Sequence, residues 1–199
     1  MARTREFDTN AAIDAIANTF WADGYEATGI ADLVETTGVG RASLYGAFGS
    51  KREMLHRAIE FYLDTYIETL WAEVDDAGID GATHMFKQFA YVREAKPERA
   101  RMGCLMVNSV VELGRTDPAI VEQGERYRTR ILDAFRSAYD RAVKDGEMEP
   151  GHAEERAELS MTLLLGCFVS IKGGADVEEI QRLTGNAIAL IESWRLPSA

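Results

Sequence analysis

Between Glu35 and Glu53 the chain carries no acidic residue, yet this interval holds Arg41, Lys51 and Arg52. A carboxylate placed there would repel phosphate, so a basic interval free of acids is suited to meeting a polyanion. Lys51 falls at the expected start of a helix, where its ammonium and the free amides of the helix end both attract a phosphate. A second basic pair, Arg3 and Arg5, lies near the N-terminus. The remainder has the opposite sign: the 199 residues carry a formal charge of −11, and from Ala58 onward there are 16 basic and 25 acidic residues. A nucleic-acid partner should therefore meet the first fifty-odd residues only, and binding of polyanions over the whole surface is excluded.

Other reactive residue types form no catalytic pattern. Gly46-Ala47-Phe48-Gly49-Ser50-Lys51 superficially suggests a phosphate loop, but its glycines are too close together and no strand precedes it. His56, His84 and His152 are scattered without metal-ligand spacing, and no H-E-x-x-H, C-x-x-C or serine or cysteine nucleophile motif occurs. We therefore expect no enzyme, cofactor or metal. Met102, Cys104 and Met106 offer soft ligands, but residues two apart on one helix point in different directions, which disfavours a Cu(I) site. Cys104 and Cys167 cannot build a disulfide framework, and the start MARTREFDTN lacks the apolar core of a signal peptide. The expected compartment is the reducing cytoplasm. The longest apolar stretch, Leu159 to Ile171, is interrupted by Ser160, Thr162, Gly166 and Ser170. It falls short of the ~20 residues that span a bilayer, so no membrane partner is expected and the stretch reads as a buried helix.

The elements that must position these residues are helical throughout. Asp8 or Thr9 caps a first helix with Ile13, Ile16, Ala17 and Phe20 on its apolar face, ended by Gly24. A short helix over about 30–37 follows, with Thr28 as N-cap and Gly38 just past its end, and then another over 41–48. Ser50-Lys51-Arg52-Glu53 has the S-x-x-E form of a capping box and opens a long helix with Leu55, Ile59, Tyr62, Tyr66 and Leu70 on one side. Asp75 to Gly81 reads as a break. Further helices are expected at about 82–95, 103–114, 118–145, 153–172 and 176–194, punctuated by Pro97, Pro118, Gly146, Pro150 and Gly173-Gly174.

Two short helices joined by a glycine-containing turn, the second free of acids, have the layout of a helix-turn-helix, in which a helix enters the major groove. The string Phe20-Trp21-Ala22-Asp23-Gly24-Tyr25-Glu26-Ala27-Thr28, then Ile30-Ala31-Asp32-Leu33, Gly38-Val39-Gly40, Leu44-Tyr45, Phe48 and Ser50-Lys51-Arg52-Glu53-Met54-Leu55, resembles the DNA-binding region of TetR/AcrR-type transcriptional repressors over about residues 7–60. The resemblance implies an all-α homodimer: an N-terminal three-helix helix-turn-helix domain over 1–57 that binds a double-stranded DNA operator, and a C-terminal helical domain over 58–199 for ligand binding and dimerisation. On the family pattern Thr28, Arg41, Ser43, Tyr45 and Lys51 fall at positions that touch DNA, with Tyr45 and Lys51 mostly on phosphate. Gly40 stands where the family often has Ser, and Gly46 stands where a larger side chain frequently reaches DNA. Base reading then falls chiefly to Arg41 and Ser43, with Leu44 meeting a thymine methyl.

The second half is less explicit. Candidate residues around a small-molecule inducer are Met85, Phe86, Phe89, Met102, Met106, Leu163 and Phe168, since apolar cavities between helices are common ligand sites. The same residue types also make ordinary core. Met102-Gly103-Cys104-Leu105-Met106-Val107-Asn108, with Glu112-Leu113 and Asp117-Pro118, is similar to a subset of the family with a cysteine beside the ligand pocket, some of which sense electrophiles or oxidants. Such a thiol must ionise, which a helix N-terminus or cations such as Arg99, Arg101 and Lys172 would favour. Cys104 as a buried unreactive cysteine is the competing expectation, and Cys167 reads as core. The alternative for the whole chain is an all-α small-molecule-binding protein or enzyme that does not bind DNA, which would show no salt-dependent duplex binding.

Overall fold

The computed structural model describes residues 7–197 apart from 73, 75, 76 and 96–98, and apart from the side chains of 69, 72 and 90–95. Arg3, Arg5, Asp75 and Pro97, each singled out above, lie outside the described residues. The described chain is all-α: α1 (Thr9–Asp23), α2 (Ile30–Thr37), α3 (Arg41–Phe48), α4 (Lys51–Tyr62), a π-helical turn (Leu63–Ile67), α5 (Glu68–Ala72), α6 (Gly78–Ala95), α7 (Leu105–Leu113), α8 (Pro118–Lys144), α9 (Ala153–Lys172) and α10 (Val177–Glu192). Among the described residues no helix is long and apolar enough to cross a membrane.

Packing divides the chain into two units, one of Met1–Ile67 with Cys104–Val121, the other of Glu68–Gly103 with Glu122–Ala199. In the first, α1 packs on α2, α4 and α7, and its buried Ile13, Ile16, Ala17 and Phe20 are those its periodicity predicts. Asp8 caps α1 by accepting from the Asn10 and Ala11 amides at 2.9 and 3.1 Å. The capping box at α4 forms as read: the Glu53 amide donates to the Ser50 hydroxyl at 3.2 Å, and the Ser50 amide donates to the Glu53 carboxylate at 2.7 Å. These bonds from Ser50 hold the Glu53 carboxyl below its ordinary range.

Three local expectations are corrected. The N-cap of α2 is Gly29 rather than Thr28, and the Gly29 amide donates to Asp32 at 2.7 Å. The Thr28 hydroxyl instead donates to the Gly24 carbonyl at 2.6 Å, which closes the turn after α1. The long helix expected from Lys51 to Leu70 is interrupted at Leu63–Ile67. Its buried residues run Ile59, Tyr62, Ile67, Trp71. The five-residue step from Tyr62 to Ile67 would rotate Ile67 off the buried side of a regular α-helix, and the wider π-turn restores it. Third, α6 begins at Gly78, inside the expected break, because Ile79 already belongs to the buried series that continues through Ala82, Met85 and Phe86. Gly81 is required there, since a Cβ would lie 2.6 Å from the Val74 carbonyl oxygen.

In the second unit α10 packs on α6 and α9. Its core is aromatic: Phe135 lies between Trp71, Phe86 and Tyr139 at centroid distances of 5.9, 6.4 and 6.2 Å. Tyr139 and Ser160 share a buried hydroxyl hydrogen bond of 2.6 Å, and burial raises the Tyr139 phenol well above its ordinary value. Arg195 pairs with Asp80, Glu147 and Glu192 at 2.7, 2.9 and 2.9 Å, fastening the segment after α10.

Candidate nucleic-acid interface

Gly38, in the left-handed conformation at φ 67°, ends α2, and the chain turns through Val39 to Gly40, the N-cap of α3. Leu33, Leu44 and Phe48 are buried and fix both helices to the first unit. Burial of that side leaves Arg41, Ala42, Tyr45 and Gly46 exposed and Ser43 half-buried. Tyr45, 39% exposed, carries the Arg41 guanidinium 5.8 Å from its ring centre, one helical turn apart. At the start of α4 the half-buried Lys51 ammonium lies 4.2 Å from the centre of the Tyr25 ring, which stacks on Phe20 at 5.9 Å.

Leu44 is 0% exposed, so it cannot meet a thymine methyl; its place in an i, i+4 pair with Phe48 makes it a core anchor. Thr28 is 1% exposed and its hydroxyl is engaged by Gly24, which leaves it a turn-building residue. Gly40 is exposed at the N-terminus of α3, and no heavy atom lies within 4 Å of where its Cβ would be. Gly46 has the same open surroundings, so neither glycine is required by close packing.

Several supporting contacts escaped the sequence reading. Arg57 donates to the Ala47 carbonyl at 3.0 Å and ties α4 to the end of α3. Asp117 accepts from the Ala119 amide at 3.1 Å to cap α8, and pairs with His56 at 3.0 Å and Arg52 at 3.3 Å. Burial works to raise the Asp117 carboxyl, but the His56 hydrogen bond and the α8 amides outweigh it and hold the group below its usual value. Glu112 on α7 accepts from the Tyr25 and Glu26 amides at 3.0 and 2.8 Å. The Asp-Pro dipeptide was a local signal for the α8 cap; a contact between residues 86 or 87 apart has none.

The residues expected around a ligand fall into both units. Phe86 is buried against Phe135, while Phe89 and Phe168, both half-buried, lie 5.3 Å apart. Met102 belongs to the second unit, and Cys104 and Met106, both 0% exposed, belong to the first. Cys104 is the N-cap of α7, and its Sγ accepts from the Tyr62 hydroxyl at 3.5 Å. Arg99, Arg101 and Lys172 belong to the second unit. Burial pushes the Cys167 thiol up to about 11. Among the described residues no group of three His, Cys, Asp or Glu side chains is placed to hold a metal ion.

A glycine turn between two core-anchored helices, the second presenting Arg and Tyr without an acid, defines a helix-turn-helix DNA-binding protein. The model of bacterial regulatory proteins of the tetR family matches residues 12–58. Over 185 residues the chain is 31% identical to the uncharacterized HTH-type transcriptional regulator YezE of Bacillus subtilis (strain 168), covering 91% of this chain and 94% of that one. It is 28% identical over 196 residues to the HTH-type transcriptional repressor ComR of Escherichia coli (strain K12), covering 94% and 90%. A cysteine mutant of the TetR family transcriptional regulator CifR, solved with 26-base-pair double-strand operator DNA, superposes with a TM-score of 0.79 at 26% identity over 94% of this chain and 98% of that one. The chain belongs to the TetR family of DNA-binding transcriptional regulators.

Proposed function

We propose that the chain is a homodimeric repressor that holds a palindromic operator through α3 of each protomer and is released by a small molecule. The DNA-binding domain spans 1–57 and the ligand-binding and dimerisation domain spans 58–199. The observation that carries this reading is the division of α3: Leu44 and Phe48 are locked in the core, and Arg41, Ser43 and Tyr45 remain on the outward side. Arg41 and Ser43 read base edges, an arginine fork matching guanine O6 and N7. Tyr45 and Lys51 hold phosphate, Gly40 lets the backbone at the start of α3 approach the duplex, and Thr28 keeps the preceding turn in shape. The description of ComR as a repressor and the capture of CifR with operator DNA support the assignment.

Dimerisation uses α9 and α10. Leu159, Val169 and Leu190 are exposed there, and the Cβ positions of Gly166 and Gly185 have open space around them, so a second pair of helices can approach closely. A two-fold pair of α3 helices then requires half-sites about 34–36 Å apart or a multiple of that spacing. A ligand that prefers the DNA-incompatible arrangement lowers operator affinity by reciprocal linkage.

The inducer contacts within the second unit are drawn from Phe86, Phe89, Met102 and Phe168, and in the first unit Cys104 is the residue that reacts with an electrophile or oxidant. The Tyr62 hydroxyl donates to Cys104 Sγ at 3.5 Å. The complete burial of Cys104 requires the first turn of α7 to open before a reagent arrives. Cys104→Ser should abolish the response to a reactive inducer while leaving operator binding intact; an unchanged response rules out the covalent route.

The test of the whole reading is selection of genomic duplex fragments by the purified protein at near-physiological salt. Recovery of a palindrome supports it. Weak retention without sequence preference favours an all-α ligand-binding protein whose N-terminal unit does not read DNA.

A further inference from the structure

Glu112 presents a problem of charge. Its carboxylate is held against the turn that carries Tyr25, and the Tyr25 ring bears the ammonium of Lys51. A negative charge two contacts from a phosphate-binding cation opposes DNA, and a neutral residue would avoid the penalty. The local geometry explains what the charge does instead. Gly24, at φ 88° and ψ 170°, ends α1 so that the following two amides converge, and a convergent pair of amides is an anion site. The Tyr25 amide donates to Glu112 Oε2 at 3.0 Å and the Glu26 amide to Oε1 at 2.8 Å. A Cβ at residue 24 would lie 3.1 Å from Oε2, so glycine serves both the positive φ and the approach of the carboxylate. Glu112 is itself placed by a fixed helix, because Leu105, Met106, Ser109 and Leu113 of α7 are buried.

We propose that Glu112 is a positioning residue for operator binding: it fixes the Tyr25 backbone, Tyr25 fixes the Lys51 ammonium, and Lys51 thereby meets its phosphate without a search. This rests on the reading of Lys51 as a phosphate contact. Tyr25 is held from both sides, by the Glu112 carboxylate at its amide and by Phe20 under its ring. Phe20 is fully within the core and supports one face of the ring, while the backbone that places the ring over Phe20 is held by Glu112. The consequence reverses the simple expectation from charge. Neutralising Glu112 removes a negative charge from the packing unit that carries α3 and yet weakens the complex.

The experiment is a titration of full-length protein with the selected operator duplex, by fluorescence anisotropy, between about 50 and 200 mM salt. Lys51→Ala should weaken binding uniformly across operators and reduce the salt slope by about 0.9. Glu112→Gln, with an unchanged unfolding midpoint, should weaken binding roughly three- to tenfold and move the slope toward that of Lys51→Ala; in the Lys51→Ala background it should cost less than about twofold. Tyr25→Leu keeps the amides that Glu112 holds and removes only the ring, so it should show the same loss of slope. If Glu112→Gln leaves affinity and slope unchanged or tightens binding while Lys51→Ala weakens it, the positioning role is wrong and the phosphate role stands. If the losses of the two single variants multiply in the double variant, or Tyr25→Leu keeps the wild-type slope, the relay through Tyr25 is overturned. If Lys51→Ala has no effect, the phosphate reading itself fails and takes this inference with it.

Discussion

In the unit built from α1 to α4 and α7 the informative residues are the exposed ones, whereas in the unit of α6, α9 and α10 whatever chemistry there is lies in buried aromatic and aliphatic side chains. The reason is the partner each must meet. A duplex is a rigid polyanion, so its contacts must stand outside a fixed core, with the charge sign chosen for them. A small apolar molecule is met by the same residue types that fill a core, and Phe86 or Phe135 looks alike in either role.

Substitutions can break or sharpen this contrast. The largest effect is expected from Leu44→Ala, which should cost about 2–5 kcal/mol of stability, because it empties a fully buried site in the DNA-binding unit. Thermal unfolding reads it; a stable variant with altered preference at a thymine position would return Leu44 to base reading. Arg41→Ala should leave folding intact and cost about 1–3 kcal/mol of operator binding, with relaxed specificity at one position per half-site. Tyr139→Phe provides the converse: it strands the Ser160 hydroxyl, should lower stability by about 1–2 kcal/mol, and should leave operator affinity unchanged once folded. Smaller still is an acid dependence at Asp117. Its carboxyl titrates lower in the fold than in the unfolded chain, so its contribution is full above its ordinary value and fades as pH falls through the lowered one. Denaturation midpoints between about pH 5 and pH 2 should therefore fall less steeply in Asp117→Asn than in the wild type. The smallest is Gly46→Ala, which should stabilise α3 by about 0.4–1 kcal/mol, since the added methyl meets nothing within 4 Å. Hydrogen exchange of the α3 amides would register it.

The contrast also explains what could be read from the sequence. The capping box at Ser50 and Glu53, the glycine at residue 38 and the apolar period of α1 are local signals, and each formed as its residues predict. The helix-turn-helix was legible because its turn and its acid-free interval are contiguous. Leu44 was misassigned because a leucine on a short recognition helix carries no mark of which side it faces; the burial of Leu33 and Phe48 beside it decides that. The π-turn at Leu63–Ile67 and the start of α6 at Gly78 follow from which residues are buried, Ile67 and Ile79, and burial is set by distant partners. Glu112 and the His56–Asp117 pair join segments far apart in sequence, where no local pattern exists.

The central claim is that α3 enters the major groove, and methylation protection of the selected operator by the wild-type protein tests it directly. Guanine N7 lies in the major groove, so two protected patches should appear, related by the palindrome and separated by about 10–10.5 base pairs or a multiple. Retention of the duplex with no protected guanine would contradict the account, because binding would then rest on phosphate alone.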